Sequence, residues 1–199
     1  VKDTLAGKIA LGKEITLDNI TFTKEQLENF DKIYVVACGT AYHAGVVGKT
    51  VIEKFAKIPV EIDIASEFRY RDPLIDKNTL CIFISQSGET ADTIAALKLS
   101  KDKGAKTIAV ANVIGSSITR ESDYCIYTHA GPEIAVASTK AYTSQVVLLN
   151  ILALYFAEVL DRVPLSEIDA IKKELLELPK KAELALKNVA EVKDFANTV

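Results

Sequence analysis

Apolar, β-branched runs recur along the chain at Ile33–Ala37, Val60–Ile64, Leu80–Ile84, Thr107–Ala111 and Tyr124–Tyr127, most of them bounded by turn residues. Runs of this length and composition read as strands. Four of the five lack alternation between polar and apolar positions, the pattern of strands buried on both faces of a parallel sheet. Helical periodicity follows the first, third and fifth, over Tyr42–Lys57, Thr90–Lys103 and Thr139–Leu160. Short turns at Ser66–Tyr70 and Ser116–Glu121 fill other connections. Strands separated by helices predict an α/β fold, a five-stranded parallel sheet flanked by helices.

The helix over Thr139–Leu160 is apolar nearly all round. It must therefore be covered on most sides, either by the sheet and its neighbours or by a second subunit, and the second possibility predicts a homodimer. Residues 1–30 are weakly patterned, with one helical stretch at Lys24–Phe30, and read as a lead-in segment to a domain spanning 31–162. Beyond Pro164 the composition turns charged and rich in Leu and Ala, and Pro179 divides it into helical patterns at Ser166–Glu177 and Lys180–Asn197. Residues 163–199 thus read as a helical connector towards a further domain. With no methionine even at position 1, the chain is expected to be a piece of a longer protein.

The 199 residues, 49% apolar, suffice for one sizeable core. The 24 basic and 27 acidic residues are interspersed, with no basic stripe of the kind that follows nucleic acid. Cys38, Cys81 and Cys125 are odd in number and widely spaced, so neither a disulfide framework nor a zinc site is suggested. Buried free thiols of a reducing cytoplasm are expected. The longest apolar stretch, Val146–Ala157, is interrupted by Asn150 and too short to span a bilayer, and no signal segment leads the chain, so a soluble protein is expected.

Candidate chemistry concentrates in Ser85-Gln86-Ser87-Gly88-Glu89-Thr90, where the third strand ends and a helix begins. Ligands of open parallel sheets bind beyond the carboxyl ends of strands, and a helix start there offers unpaired N–H groups to an anion. Hydroxyls at Ser85, Ser87 and Thr90 add donors, and Gly88 permits close approach. Without Lys or Arg the loop suits a monophosphate held by neutral donors rather than a nucleoside triphosphate. Glu89 is expected to face outward and complement the helix start. The same string also reads as an ordinary serine-rich helix cap, and spacing alone does not choose between the two.

Cys38-Gly39-Thr40 follows the first strand, with Thr40 as a helix cap whose hydroxyl can reach a sugar oxygen. The loop Gly131–Lys140 follows the fifth strand and ends in capping hydroxyls. All three strings fall at one edge of the inferred sheet. His43 and His129 lack metal-ligand spacing and a partner carboxylate, Lys140 reads as a solvated lysine, and Arg69 and Arg71 beside Glu67 read as a salt-bridge set or an interface element.

The strings Ala37-Cys38-Gly39-Thr40, Ala65-Ser66-Glu67-Phe68-Arg69-Tyr70-Arg71, Ser85–Thr93 and Val136-Ala137-Ser138-Thr139-Lys140-Ala141, in this order, resemble the glucosamine-6-phosphate synthase family, within the wider sugar isomerase (SIS) domain superfamily. The resemblance runs from about Thr4 to the end of the chain. It implies a flavodoxin-like three-layer SIS lobe, the first of two in an isomerase half that follows a glutaminase domain. The implied ligand is fructose 6-phosphate or its product glucosamine 6-phosphate, with no cofactor and no metal. Ser85, Gln86, Ser87 and Thr90 correspond to phosphate and sugar contacts, and Thr40, Val136, Ala137 and Ser138 to further sugar contacts. Ala41 stands where the family often has a serine. The implied proton-transfer residues lie in the second lobe, so this chain is expected to bind without turnover. A sugar-phosphate sensor of a regulator and a free-standing phosphosugar isomerase are the alternatives. The first would need an upstream basic DNA-binding segment and the second its own acid–base pair.

Overall fold

Twelve regular elements lead to the end of the longest apolar helix in the computed structural model, which describes residues 1–135 and 138–198. They are α1 (Lys2–Leu5), α2 (Lys24–Glu28), β1 (Lys32–Ala37), α3 (Gly39–Ala56), β2 (Val60–Ile64), α4 (Ala65–Tyr70), β3 (Thr79–Ser85), α5 (Ala91–Asp102), β4 (Lys106–Ala111), α6 (Ser117–Glu121), β5 (Tyr124–Tyr127) and α7 (Lys140–Val159). Helix α8 (Leu165–Ala185), a 3₁₀ turn at Leu186–Asn188 and α9 (Val189–Ala196) follow.

All five expected strands form, and all pair in parallel in the order β2-β1-β3-β4-β5. Successive side chains on a strand point to opposite faces, which splits the core in two. Ile33 and Val35 of β1, with Ile82 and Ile84 of β3, face α3 and α7. Tyr34, Val36, Cys81 and Phe83 face Phe68 of α4, Leu97 of α5 and Ile118 of α6. Right-handed crossovers require this arrangement: the chain moves outward from β1 to β2, then reverses, so α3 and the later crossovers fall on opposite faces. Strand order reverses between β1 and β3. Both strands are buried along almost their whole length, whereas the edge strand β2, Val-Glu-Ile-Asp-Ile, keeps the alternation of a half-exposed strand.

Helix α7 is long and apolar enough, by length and composition, to cross a membrane, but 67% of that stretch is buried inside the molecule. Its cover comes from the chain itself. Helix α3 packs along one side, close enough that a Cβ at Gly48 would lie 2.8 Å from Leu149 Cδ1. The lead-in and α8 complete the enclosure. Of the two possibilities for covering this helix, the first is therefore realised, and α7 gives no reason for a second subunit.

The lead-in packs more deeply than its weak pattern suggests. Leu5, Ile15, Leu17, Ile20 and Phe22 are buried in the α3/α7 core. The Phe22 N–H donates to Tyr155 Oη at 2.8 Å. Asp18 and Asn19 accept the N–H groups of Tyr127 and Cys125, so the lead-in also covers the free edge of β5. At the other end of the chain Pro179 does not divide two helices: α8 runs through it. Proline's fixed φ suits a helix, and the cost is one lost N–H donor and a ring pressed against the carbonyl one turn back, tolerable where that carbonyl can tilt outward and be solvated. The two expected turns, Ser66–Tyr70 and Ser116–Glu121, are short helices. Of the three free cysteines Cys81 alone is fully buried, while Cys38, just past β1, and Cys125, on the edge strand β5, are half-buried.

Candidate sugar-phosphate site

A cavity of about 420 Å³ opens at the carboxyl ends of β1 and β3, where strand order reverses. That is where open α/β sheets bind ligands, and its size is ordinary for a small-molecule site. Thr40, Ser85, Gln86, Ser87, Thr90 and Ser138 all line it. The expected contacts of Val136 and Ala137 lie outside the described residues.

The β3–α5 turn is folded by its own hydroxyls. Ser85 Oγ accepts the Gly88 N–H at 3.0 Å and lies 3.1 Å from Thr90 Oγ1, and Ser87 Oγ accepts the Glu89 N–H at 3.2 Å. Two hydroxyls sharing one hydrogen bond retain one unused O–H between them, and Ser87 retains its own. Thr90 is the N-cap residue of α5, yet its side chain makes no capping bond. The first-turn N–H groups of α5 are thus left unclaimed by the usual partner, with a helix dipole behind them.

Gly88 has φ +70, and a Cβ there would lie 2.0 Å from Ser116 Oγ. Its carbonyl accepts the Ile118 N–H at 3.0 Å, and Glu89 Oε1 accepts the Ser117 N–H at 2.7 Å. Glu89 therefore does turn away from the cradle, but it caps α6 rather than its own helix. Hydrogen bonds from Ser117 hold its carboxyl below the usual range.

Thr40 is not the expected cap. Helix α3 begins two residues earlier than a Thr40 cap would place it, at Gly39 (φ +58), with extended Cys38 as N-cap, so the Thr40 hydroxyl sits in the first turn and borders the cavity. Nor do the Ser138 and Thr139 hydroxyls cap α7. Glu133 does so instead: its Oε2 accepts the N–H groups of Thr139 at 3.0 Å and Ala141 at 3.1 Å. These bonds hold its carboxyl down at about 2. A carboxylate outcompetes a neutral hydroxyl for such donors. Ser138, at φ +58, is left lining the cavity.

Glu133, Gln145 of α7, Cys38, Ala41, Ile84 and Ala135 border the cavity without having been singled out as contacts. Ala41 offers no hydroxyl, so that part of the wall is apolar. Lys140, His43 and His129 are not among the lining residues.

The fold is that of a doubly wound α/β domain with a hydroxyl-lined cavity at its switch point, and residues 26–155 match the family described as SIS domain. The chain belongs to that family. It is 61% identical over 98% of its length to glutamine–fructose-6-phosphate aminotransferase [isomerizing] of Clostridium acetobutylicum, and 60% identical over 99% to that of Clostridium tetani. It covers 32% of each, so the chain spans about a third of the length of these curated relatives. Among solved structures, the C-terminal domain of glucosamine-fructose-6-phosphate aminotransferase from Francisella tularensis matches with a TM-score of 0.88 and 41% identity, over 98% of this chain and 54% of that one.

Proposed function

We propose that this chain is the first sugar-phosphate-binding lobe of an isomerising glutamine–fructose-6-phosphate aminotransferase, and that its cavity takes fructose 6-phosphate or glucosamine 6-phosphate. The observation that carries the reading is the uncapped start of α5 behind the Ser85–Thr90 turn. It offers hydroxyl and N–H donors without a cation, as suits a monophosphate ester. Thr40 and Ser138, with Val136 and Ala137, are assigned to the sugar, and Gln86 to either part. The relatives' names support this choice of substrate, and the strand-end cavity supports this choice of site.

Among the described lining residues the ionisable side chains are Cys38 and Glu133. Glu133 already accepts N–H groups from α7. This pairing supports binding without turnover here, the glutaminase and the acid–base groups belonging to regions outside residues 1–199, with 163–199 leading towards a second lobe. A cytoplasmic, homodimeric parent fits three free thiols and the relatives' activity, though the cover of α7 by its own chain does not call for a dimer.

Calorimetric titration tests the reading. Fructose 6-phosphate is expected to bind and fructose to lose most of the affinity. Ser87→Ala should weaken binding by about tenfold or more, the usual cost of one hydrogen bond to a charged group, and Lys140→Ala by less. Fructose binding as well as its phosphate, or Lys140→Ala proving the more damaging change, would overturn the cradle.

A further inference from the structure

Gln145 stands in the second turn of α7, within the most apolar helix of the molecule, and is only 2% exposed. It lines the same cavity as Ser87 and Thr90, and its Oε1 has no hydrogen-bond partner among the described residues. Buried side-chain amides are almost always paired, and an unpaired one in a native structure calls for a reason. Packing does not supply it. Leu or Met would occupy nearly the same volume and need no partner.

We infer that Gln145 is a specificity-determining residue whose side chain turns its covered Oε1 into the cavity to accept a hydrogen bond from a hydroxyl of the bound sugar phosphate. The inference rests on the sugar-phosphate reading above and extends it to the carbohydrate part of the ligand. Oε1 is an acceptor only, so its complement must be a donor, which a polyol offers and a phosphate dianion does not. A neutral amide can lie near the dianion without repelling it, and it transfers no proton, so its role is to position. Gln145 belongs to α7 and the cradle to the β3–α5 turn, so a ligand that engages both must extend across the cavity. A sugar phosphate extends; inorganic phosphate does not. A site built around a hydroxyl also rejects the analogue that lacks it, because its own buried group is then stranded.

The test is calorimetric titration of the wild-type chain, Gln145→Leu and Gln145→Met with fructose 6-phosphate, inorganic phosphate and a series of mono-deoxy hexose 6-phosphates, alongside thermal melts. Both variants should melt no lower than wild type, lose about tenfold in affinity for fructose 6-phosphate and keep their affinity for inorganic phosphate. One deoxy analogue should bind wild type as weakly as the variants do and be indifferent to the substitution. Unchanged fructose 6-phosphate binding in a folded variant overturns the inference and leaves the cradle standing, the amide then being satisfied by water. A loss shared equally by inorganic phosphate, or failure of both variants to fold, overturns it as well, because the amide is then structural. Wild type binding neither fructose 6-phosphate nor phosphate removes the cradle reading, and this one with it.

Discussion

Glu133 borders the cavity and at the same time closes the start of α7 with its carboxylate. Its folded-state value, near 2, lies below that of an unfolded glutamate, about 4.3. Its contribution to stability is therefore complete above the ordinary carboxylate range and is lost as pH falls towards 2. Glu133→Gln should lower the melting temperature at neutral pH, and the gap to wild type should close over that acid window. A gap independent of pH would mean that the carboxylate's charge does nothing here. The cysteines separate in the same way by environment. Burial pushes the Cys81 thiol up to about 12, whereas half-buried Cys38 lines the cavity. At about pH 8 iodoacetamide should leave Cys81 unmodified, and fructose 6-phosphate should slow alkylation at Cys38. Peptide mass spectrometry checks both, and labelling of Cys38 indifferent to the ligand would place the sugar elsewhere.

At the scale of elements, the β3–α5 turn and α6 are held as one unit through Gly88 and Glu89. Gly88→Ala imposes a side chain on a left-handed residue and drives its Cβ into Ser116, so a loss of about 1–3 kcal/mol is expected in urea unfolding, with weaker ligand binding. Ser116→Gly in that background should recover part of the stability; no recovery would leave backbone strain as the sole cause. Much of this layer can be read from the chain, because continuous β-branched runs such as Ile33–Ala37 and Leu80–Ile84 have few alternatives to a buried parallel strand. The loop hydroxyls are equally visible, as they follow directly on strand ends. What escapes is whatever depends on a partner far along the chain. Ile15 and Phe22 are buried within irregular backbone, which has no period to detect, and Leu5 within a helix of only four residues. Gln145 is hidden inside a helical run whose apolar neighbours mark it as core. Glu133 lies in a recognised loop, but nothing local says that its carboxylate reaches ahead to Ala141.

For the molecule as a whole, the lead-in and α8 meet around Lys172, which is 2% exposed. Its Nζ donates to the Lys13 carbonyl at 2.7 Å and lies 3.6 Å from Glu158 and 3.4 Å from Asp169. Glu158 in turn accepts the Ile15 N–H, and Asp169 the Gly12 N–H. Removing Lys172 strands Glu158 and the Lys13 carbonyl while half-exposed Asp169 turns to water, so Lys172→Met should cost about 2 kcal/mol in guanidinium unfolding. A change below about 1 kcal/mol would show that the cluster is dispensable.

The Lys13–Lys172 contact joins residues 159 positions apart. On a ribosome adding about 5–20 residues per second, the opening segment waits roughly 10–30 s before its last partner is made. Until then Leu5, Ile15 and Phe22 have no finished core to enter, and the newborn chain carries them as an exposed, adhesive stretch. Chains stalled before α7 has emerged should therefore be held by chaperones and cut by protease within residues 1–30, and both vulnerabilities should vanish together once α8 is free of the exit tunnel.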